Sequence, residues 1–169
     1  MTTVPRLHPV ELCDAALLEA CEVRRLRRSG PGGQNRNKVE TAVQLHHRET
    51  GLVAEANERR SQAENRKVAI RRLRMLLALS VRSSRAEPSP LWQRRCHNGK
   101  VAINADHADY PRLLAEVLDW LAQAEWDVRS AAVRLGCTPS QLIRVLTMEP
   151  PALALVNRER AVRNMRRLH

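Results

Sequence analysis

Ser29-Gly30-Pro31-Gly32-Gly33-Gln34-Asn35-Arg36-Asn37-Lys38-Val39 is the stretch on which the reading of this chain turns. Glycines at 30, 32 and 33 and a proline at 31 deny the backbone both helix and strand, so residues 29–33 form a loop. Gly32 and Gly33 open torsions closed to other residues and let the main chain approach a crowded partner, so that a backbone N–H can reach a group that a bulkier loop would keep away. Gln34 follows at the tip. Its amide donates and accepts but cannot ionise, which suits positioning better than general-base work. No Ser-His-Asp set stands beside it, and His46 and His47, on the strand that follows, read as structural.

Working outward, residues 21–28 look extended and basic and bring Arg27 and Arg28 to the loop. Residues 39–48 and 52–56 predict two strands around the turn Glu49-Thr50-Gly51, hence a hairpin. Residues 62–79 are the surest helix. Ala69, Leu73, Leu76 and Leu77 make its apolar stripe, while Arg66, Lys67, Arg71, Arg72 and Arg74 fall on other faces and are free to meet phosphate. A short helix is expected within residues 9–20. Ser83, Ser84, Pro88, Ser89 and Pro90 read as a linker, dividing the chain into 1–87 and 88–169. The second part is helical, with Pro111 in the first turn of one helix, a second over 127–135, and a third begun by Thr138 as cap and Pro139 at its first position. Gly136 between the last two resembles the tight turn of a helix-turn-helix. The expected class is α+β: a small mixed sheet with one long helix, followed by a mainly α-helical, helix-turn-helix-like domain.

Twenty-nine Lys and Arg against 18 Asp and Glu give a formal charge of +11, a balance that favours a polyanionic partner. No apolar stretch is long enough for a membrane span, and residues 1–10 lack a signal-peptide core, so a cytoplasmic protein without a membrane partner is expected. Cys13, Cys21, Cys96 and Cys137 form no C-x-x-C pair; they read as reduced thiols, and neither metal nor cofactor is expected. Residues 88–156 balance acids and bases, which favours a helical docking module over a DNA reader. Residues 157–169 carry Arg158, Arg160, Arg163, Arg166 and Arg167 against Glu159 and read either as a basic RNA anchor or as the solvated end of a last helix.

The loop sequence resembles the GGQ loop of class-I peptide-chain release factors. The likeness continues in Thr50-Gly51, similar to that family's turn between strands, and in Arg60-Ser61-Gln62 with Asn65 and Ala69, similar to its R-S-Q-x-x-N-x-x-x-A helix start. It covers about residues 9–85. Arg36 stands where valine is usual and Glu49 where proline usually precedes the turn; neither departure touches the Gly-Gly-Gln step.

The resemblance implies an α+β domain whose loop enters the peptidyl-transferase centre of the large ribosomal subunit. There the main-chain N–H of Gln34 would stabilise the tetrahedral intermediate of peptidyl-tRNA hydrolysis. It implies Gly32, Gly33 and Gln34 as catalytic and Gln34 as a methylation site for a glutamine methyltransferase. Arg27, Arg28, Arg36, Lys38, Arg60, Arg66, Arg71, Arg74 and the five tail arginines are then contacts to ribosomal RNA and peptidyl-tRNA, made by a monomer. With only the residues before Ser29 ahead of the loop, no codon-reading domain is expected, which resembles the short codon-independent rescue hydrolases. A non-catalytic ribosome binder that keeps the fold, and a helix-turn-helix DNA regulator, are the alternatives.

Overall fold

The computed structural model describes residues 7–26 and 41–169. They form two compact units, Pro9–Leu77, and Ala78–His169 with the segment ending at His8.

The first unit opens with a single 3-10 turn, Pro9–Glu11, and helix α1, Asp14–Glu19. Three strands follow: β1 (Cys21–Leu26), β2 (Ala42–His47) and β3 (Val53–Ala56). The sheet order is β1-β2-β3, and both pairings are antiparallel rather than mixed. The β2–β3 connection is short enough to close as a hairpin, where Gly51 adopts φ +71°. His47 secures that turn from within. It is buried, its Nδ1 lies 2.9 Å from Thr50 Oγ1, and Thr50 N–H donates to the same nitrogen. Burial holds its pKa below the ordinary histidine value, so the structural reading of this histidine stands.

Cross-strand partners share a face. Val43, Leu45, Ala54 and Ala56 point to the core, whereas Glu22, Arg24, Gln44, His46 and Glu55 line a polar face with a Glu22–Arg24 ion pair at 2.8 Å. Helix α2, Gln62–Ser80, completes the core with Ala69, Ile70, Leu73 and Leu77. Leu76, expected in the stripe, is only half-buried.

Arg74 departs from the expectation that it faces solvent. It is buried and donates to the carbonyls of Val10 and Leu12 and, at 2.7 Å, to the Asp14 carboxylate. One turn beyond Ile70, its guanidinium reaches three acceptors at the opening turn and at α1, and so holds that segment in place.

The second unit is built around α4 (Tyr110–Gln123), buried along most of its length. A helix apolar nearly all round has to be wrapped by others. Helices α5 (Val128–Leu135) and α6 (Pro139–Thr147) pack against it, α7 (Pro150–Val162) packs on α6, and α3 (Pro90–Arg95) precedes them in the chain. Asp127 and Thr138 cap α5 and α6 by accepting from Ser130 N–H and Gln141 N–H, and Gly136 turns the chain between them at φ +66°. The sequence reading lacked α3 and a two-residue hairpin, β4 (Cys96–His97) with β5 (Lys100–Val101). Asn98 and Gly99, both at positive φ, make its turn, as an Asn-Gly pair favours.

The units divide at Leu77–Ala78, ten residues before the boundary drawn at 88. The serines read as linker are held. Asp119, fully buried on α4, accepts from Ser83 N–H at 2.9 Å, Ser83 Oγ at 2.7 Å and Arg85 Nε at 2.9 Å. Glu116 accepts Ser89 N–H at 2.7 Å and its hydroxyl. Buried carboxylates need donors, and these serines supply them. Among the described residues no helix is long and apolar enough to cross a membrane.

Candidate active site

Gly32, Gly33 and Gln34, with Arg27, Arg28, Arg36 and Lys38, lie outside the described residues. The frame that carries them is described on both sides. Leu26 ends β1 opposite Ala42, the first residue of β2, so the loop leaves and re-enters the sheet at one cross-strand pair. Thr41, just before that pair, is held from α2. Asn65 Nδ2 donates to Thr41 O at 2.8 Å and to Arg59 O at 2.9 Å, while Asn65 Oδ1 accepts Arg59 N–H at 2.8 Å. Asn65 has no exposed surface. One buried amide thus ties the returning end of the loop to the segment that starts α2, and its three partners saturate most of its hydrogen-bonding capacity.

Asn65 is the residue that sequence reasoning passed over as a mere part of a motif. The signal was present: Asn65, Ala69, Leu73 and Leu77 are spaced by four, so a polar side chain sits on the buried stripe and must be satisfied there. Arg25, exposed on β1 and paired with Val43 beside the loop root, is a cation absent from the expected set.

The basic residues expected on α2 and just before it divide. Arg60 and Arg71 are exposed. Arg66 is half-buried, with its Nε buried and without a partner. Arg72, exposed as well, is engaged by Glu58 and by the Glu55 carbonyl at 2.6 Å. Arg74 is turned inward, as described above, and is withdrawn from the phosphate-binding set.

The tail arginines also divide. Helix α7 runs through Val162, and the end folds back as a clip: Asn157 pairs with the Leu168 backbone through bonds of 3.0 and 2.8 Å. Arg160 is buried and donates to Trp126 O at 2.6 Å and Arg166 O at 2.9 Å, closing a turn in which Glu125 and Trp126 both take positive φ. That commitment removes Arg160 from the set. Arg163 pairs with Glu159 at 3.1 Å, leaving Arg158, Arg166 and Arg167 as exposed cations.

A polar sheet face, an anchored loop root and cations along α2 make a frame that can carry a loop into a polyanionic partner. The four thiols are free, and burial pushes that of Cys137 up to about 12 and that of Cys96 upward, so neither is poised as a nucleophile.

Comparison with known proteins shows the family of the chain. A family model described as the RF-1 domain matches residues 18–109, more than half of the chain. An uncharacterized mitochondrial peptide chain release factor-like protein of Saccharomyces cerevisiae is 46% identical over 68 residues, 39% of this chain and 44% of that protein. Peptide chain release factor 1 of Xylella fastidiosa is 40% identical over 85 residues, 50% of this chain and 24% of that one. Peptide chain release factor 2 of Thermomicrobium roseum is 42% identical over 66 residues, 38% and 18% of the two chains. The matches thus span less than half the length of these relatives, and residues 110–169 lie beyond the family match.

Proposed function

We propose, from the premise that the chain belongs to the RF-1 domain family of class-I peptide chain release factors, that it hydrolyses the ester bond of peptidyl-tRNA on stalled ribosomes without reading a stop codon. The observation that carries this reading is an intact Gly32-Gly33-Gln34 in the connection between β1 and β2, inside the family match.

Ester cleavage needs a water aimed at the carbonyl carbon and a donor for the oxyanion that develops. The backbone N–H of Gln34 is that donor, freed to approach by the two glycines; the side-chain amide shapes the pocket for water and is the atom a glutamine methyltransferase would modify. Arg25, Arg27, Arg28, Arg36, Lys38, Arg60, Arg66 and Arg71 hold ribosomal RNA and tRNA phosphate around the loop. The protein works as a monomer on the large subunit. Its compartment is that of the ribosomes it serves, the cytoplasm in a bacterium.

The DNA-regulator reading loses support in α6. Its one arginine, Arg144, donates to the carbonyls of Val101 and Ile103, so the helix in the recognition position has no arginine left for base edges.

The test is release of labelled peptide from ribosomes stalled on truncated mRNA, with free large subunits carrying peptidyl-tRNA as the parallel substrate. The wild type should release peptide. Gly33→Ala should lower the single-turnover rate by about 10²–10³-fold, the cost of losing one oxyanion donor, with ribosome binding nearly intact. Wild-type rates from Gly33→Ala would refute the catalytic role of the loop, and binding without release by the wild type would establish the non-catalytic alternative.

A further inference from the structure

Residues 88–156 are neutral as a sum, yet their charges do not lie on one surface. Asp119 and Glu116 are buried on α4, Asp127 caps α5, and Asp109 pairs with Arg95 at 2.7 Å. Glu116 and Asp119 are drawn inward by donors of the connector before α3, while Arg94, Arg129, Arg134 and Lys100 stay outside.

The hairpin β4–β5 is where those cations meet a rigid support. Trp92 Nε1 donates to Leu135 O at 2.7 Å, Cys96 Sγ to Gly136 O at 3.6 Å, and Thr138 N–H to Gly99 O at 3.2 Å; Val101 N–H donates to Gln141 Oε1 at 3.2 Å. A backbone bridge joins Gly99 to Cys137, and Arg144 clamps the Val101 carbonyl. The hairpin is thereby fastened to the turn between α5 and α6. Around that junction Arg94 lies in the last turn of α3, Lys100 opens β5 and Arg134 lies in the last turn of α5, all exposed, as are His97 and the neutral donors Asn98 and Thr138. The Arg134 guanidinium carbon lies over the Trp120 ring, 5.8 Å from its centroid.

We propose that this junction of the β4–β5 hairpin with the α5–α6 turn is a second RNA-binding surface, which holds the phosphate backbone of a double-helical RNA segment through Arg94, Lys100 and Arg134. Fixed cations interspersed with neutral donors suit phosphate oxygens. Trp92, Tyr110, Trp120 and Trp126 are all buried, so the surface has neither a platform for stacking unpaired bases nor an aromatic anchor for a protein partner. The choice of RNA rests on the proposed ribosomal function.

The experiment measures binding of the full chain to a labelled RNA hairpin over a salt series, beside peptide release. Arg94→Ala and Lys100→Ala should each make the slope of log affinity against log salt shallower by roughly 0.7–0.9. Arg129→Ala, an equal charge change at the other end of α5, should leave it unchanged. Arg94→Glu with Lys100→Glu should weaken RNA binding by about tenfold or more and leave release at saturating factor at the wild-type rate. Unchanged RNA affinity in the double reversal overturns the surface, as does an Arg129→Ala effect equal to the others, which would report net charge alone. Tryptophan fluorescence during unfolding checks that the unit is intact; if the double reversal fails that check, the alanine variants decide. A wild type that releases no peptide would remove the proposed function while the RNA arm still answers this question.

Discussion

The unit Pro9–Leu77 buries an amide and a cation beside its loop root and opening turn, whereas helix α4 of the unit Ala78–His169 buries two carboxylates. In the first, an amide and a cation, Asn65 and Arg74, point inward and collect backbone carbonyls near the loop root and the opening turn. In the second, two carboxylates, Asp119 and Glu116, point inward and collect backbone N–H groups, hydroxyls and Arg85. The two solutions satisfy the same requirement, that no buried polar group be left unpaired, but they leave different surfaces behind. Burying acids makes a sequence of zero net charge basic on the outside. Charge sums over a segment therefore describe its surface only when burial is even-handed.

The contrast can be broken most sharply at Asp119. Asp119→Ala removes the carboxylate that Ser83 and Arg85 share, and Arg85 is itself largely buried. Removing one partner of a buried pair costs about 3–5 kcal/mol, so the tryptophan-reported unfolding transition should fall to much lower denaturant. Amide exchange in the sheet should stay as it was, because β1–β3 lie in the other unit. An unchanged fluorescence midpoint would mean that the segment before α3 is held by something other than this carboxylate.

How far the sequence disclosed this arrangement follows from the range over which each signal acts. Helices α2, α4, α5 and α6 were legible because stripe, cap and proline are local: the Pro139 start and the Gly136 turn fall where the spacing predicts them. The β2–β3 hairpin was legible from its turn. Helix α3 and the β4–β5 hairpin were missed because six-residue and two-residue elements carry almost no periodicity, even though Asn98-Gly99 is a strong turn signal. The inward course of Arg74 and Arg160 was invisible for another reason. A long side chain on a helix flank takes its direction from acceptors distant in sequence, here Val10, Leu12 and Trp126. The proposed catalytic tip was read from a motif, whereas the anchor at Asn65 needed the structure to show what the motif's asparagine grips.

That anchor gives the second, smaller test. Asn65→Ala removes the partner of Thr41 O, Arg59 N–H and Arg59 O in a part-buried place, at a cost of roughly 1–3 kcal/mol for lost satisfaction. If the amide merely stabilised the unit, release by the folded variant would run at the wild-type rate. As a positioning residue it should instead lower the release rate at saturating factor by about tenfold or more, since small misplacements of a catalytic group are costly. The factor concentration for half-maximal release should not change. Measuring kcat and KM separately on protein shown to be folded by amide exchange distinguishes the two.

The smallest effect is expected at the end of the chain, where the two uses of arginine stand side by side. Arg160 is committed to the carbonyls of Trp126 and Arg166, and Asn157 holds Leu168, so deleting residues 157–169 would remove structure together with charge. Charge reversal separates them. Arg166→Glu with Arg167→Glu keeps the clip's backbone bonds and removes only exposed cations; if the clip is an RNA anchor supplying ~1.4 kcal/mol, half-maximal release should need roughly tenfold more factor. The saturated rate and the tryptophan transition should hold. Arg160→Met should do the reverse. It leaves the exposed cations in place but frees the carbonyl of Trp126, so the tryptophan transition should weaken while the salt dependence of binding keeps its slope. Normal release at limiting concentration by the double reversal would show that the clip closes the fold and nothing more.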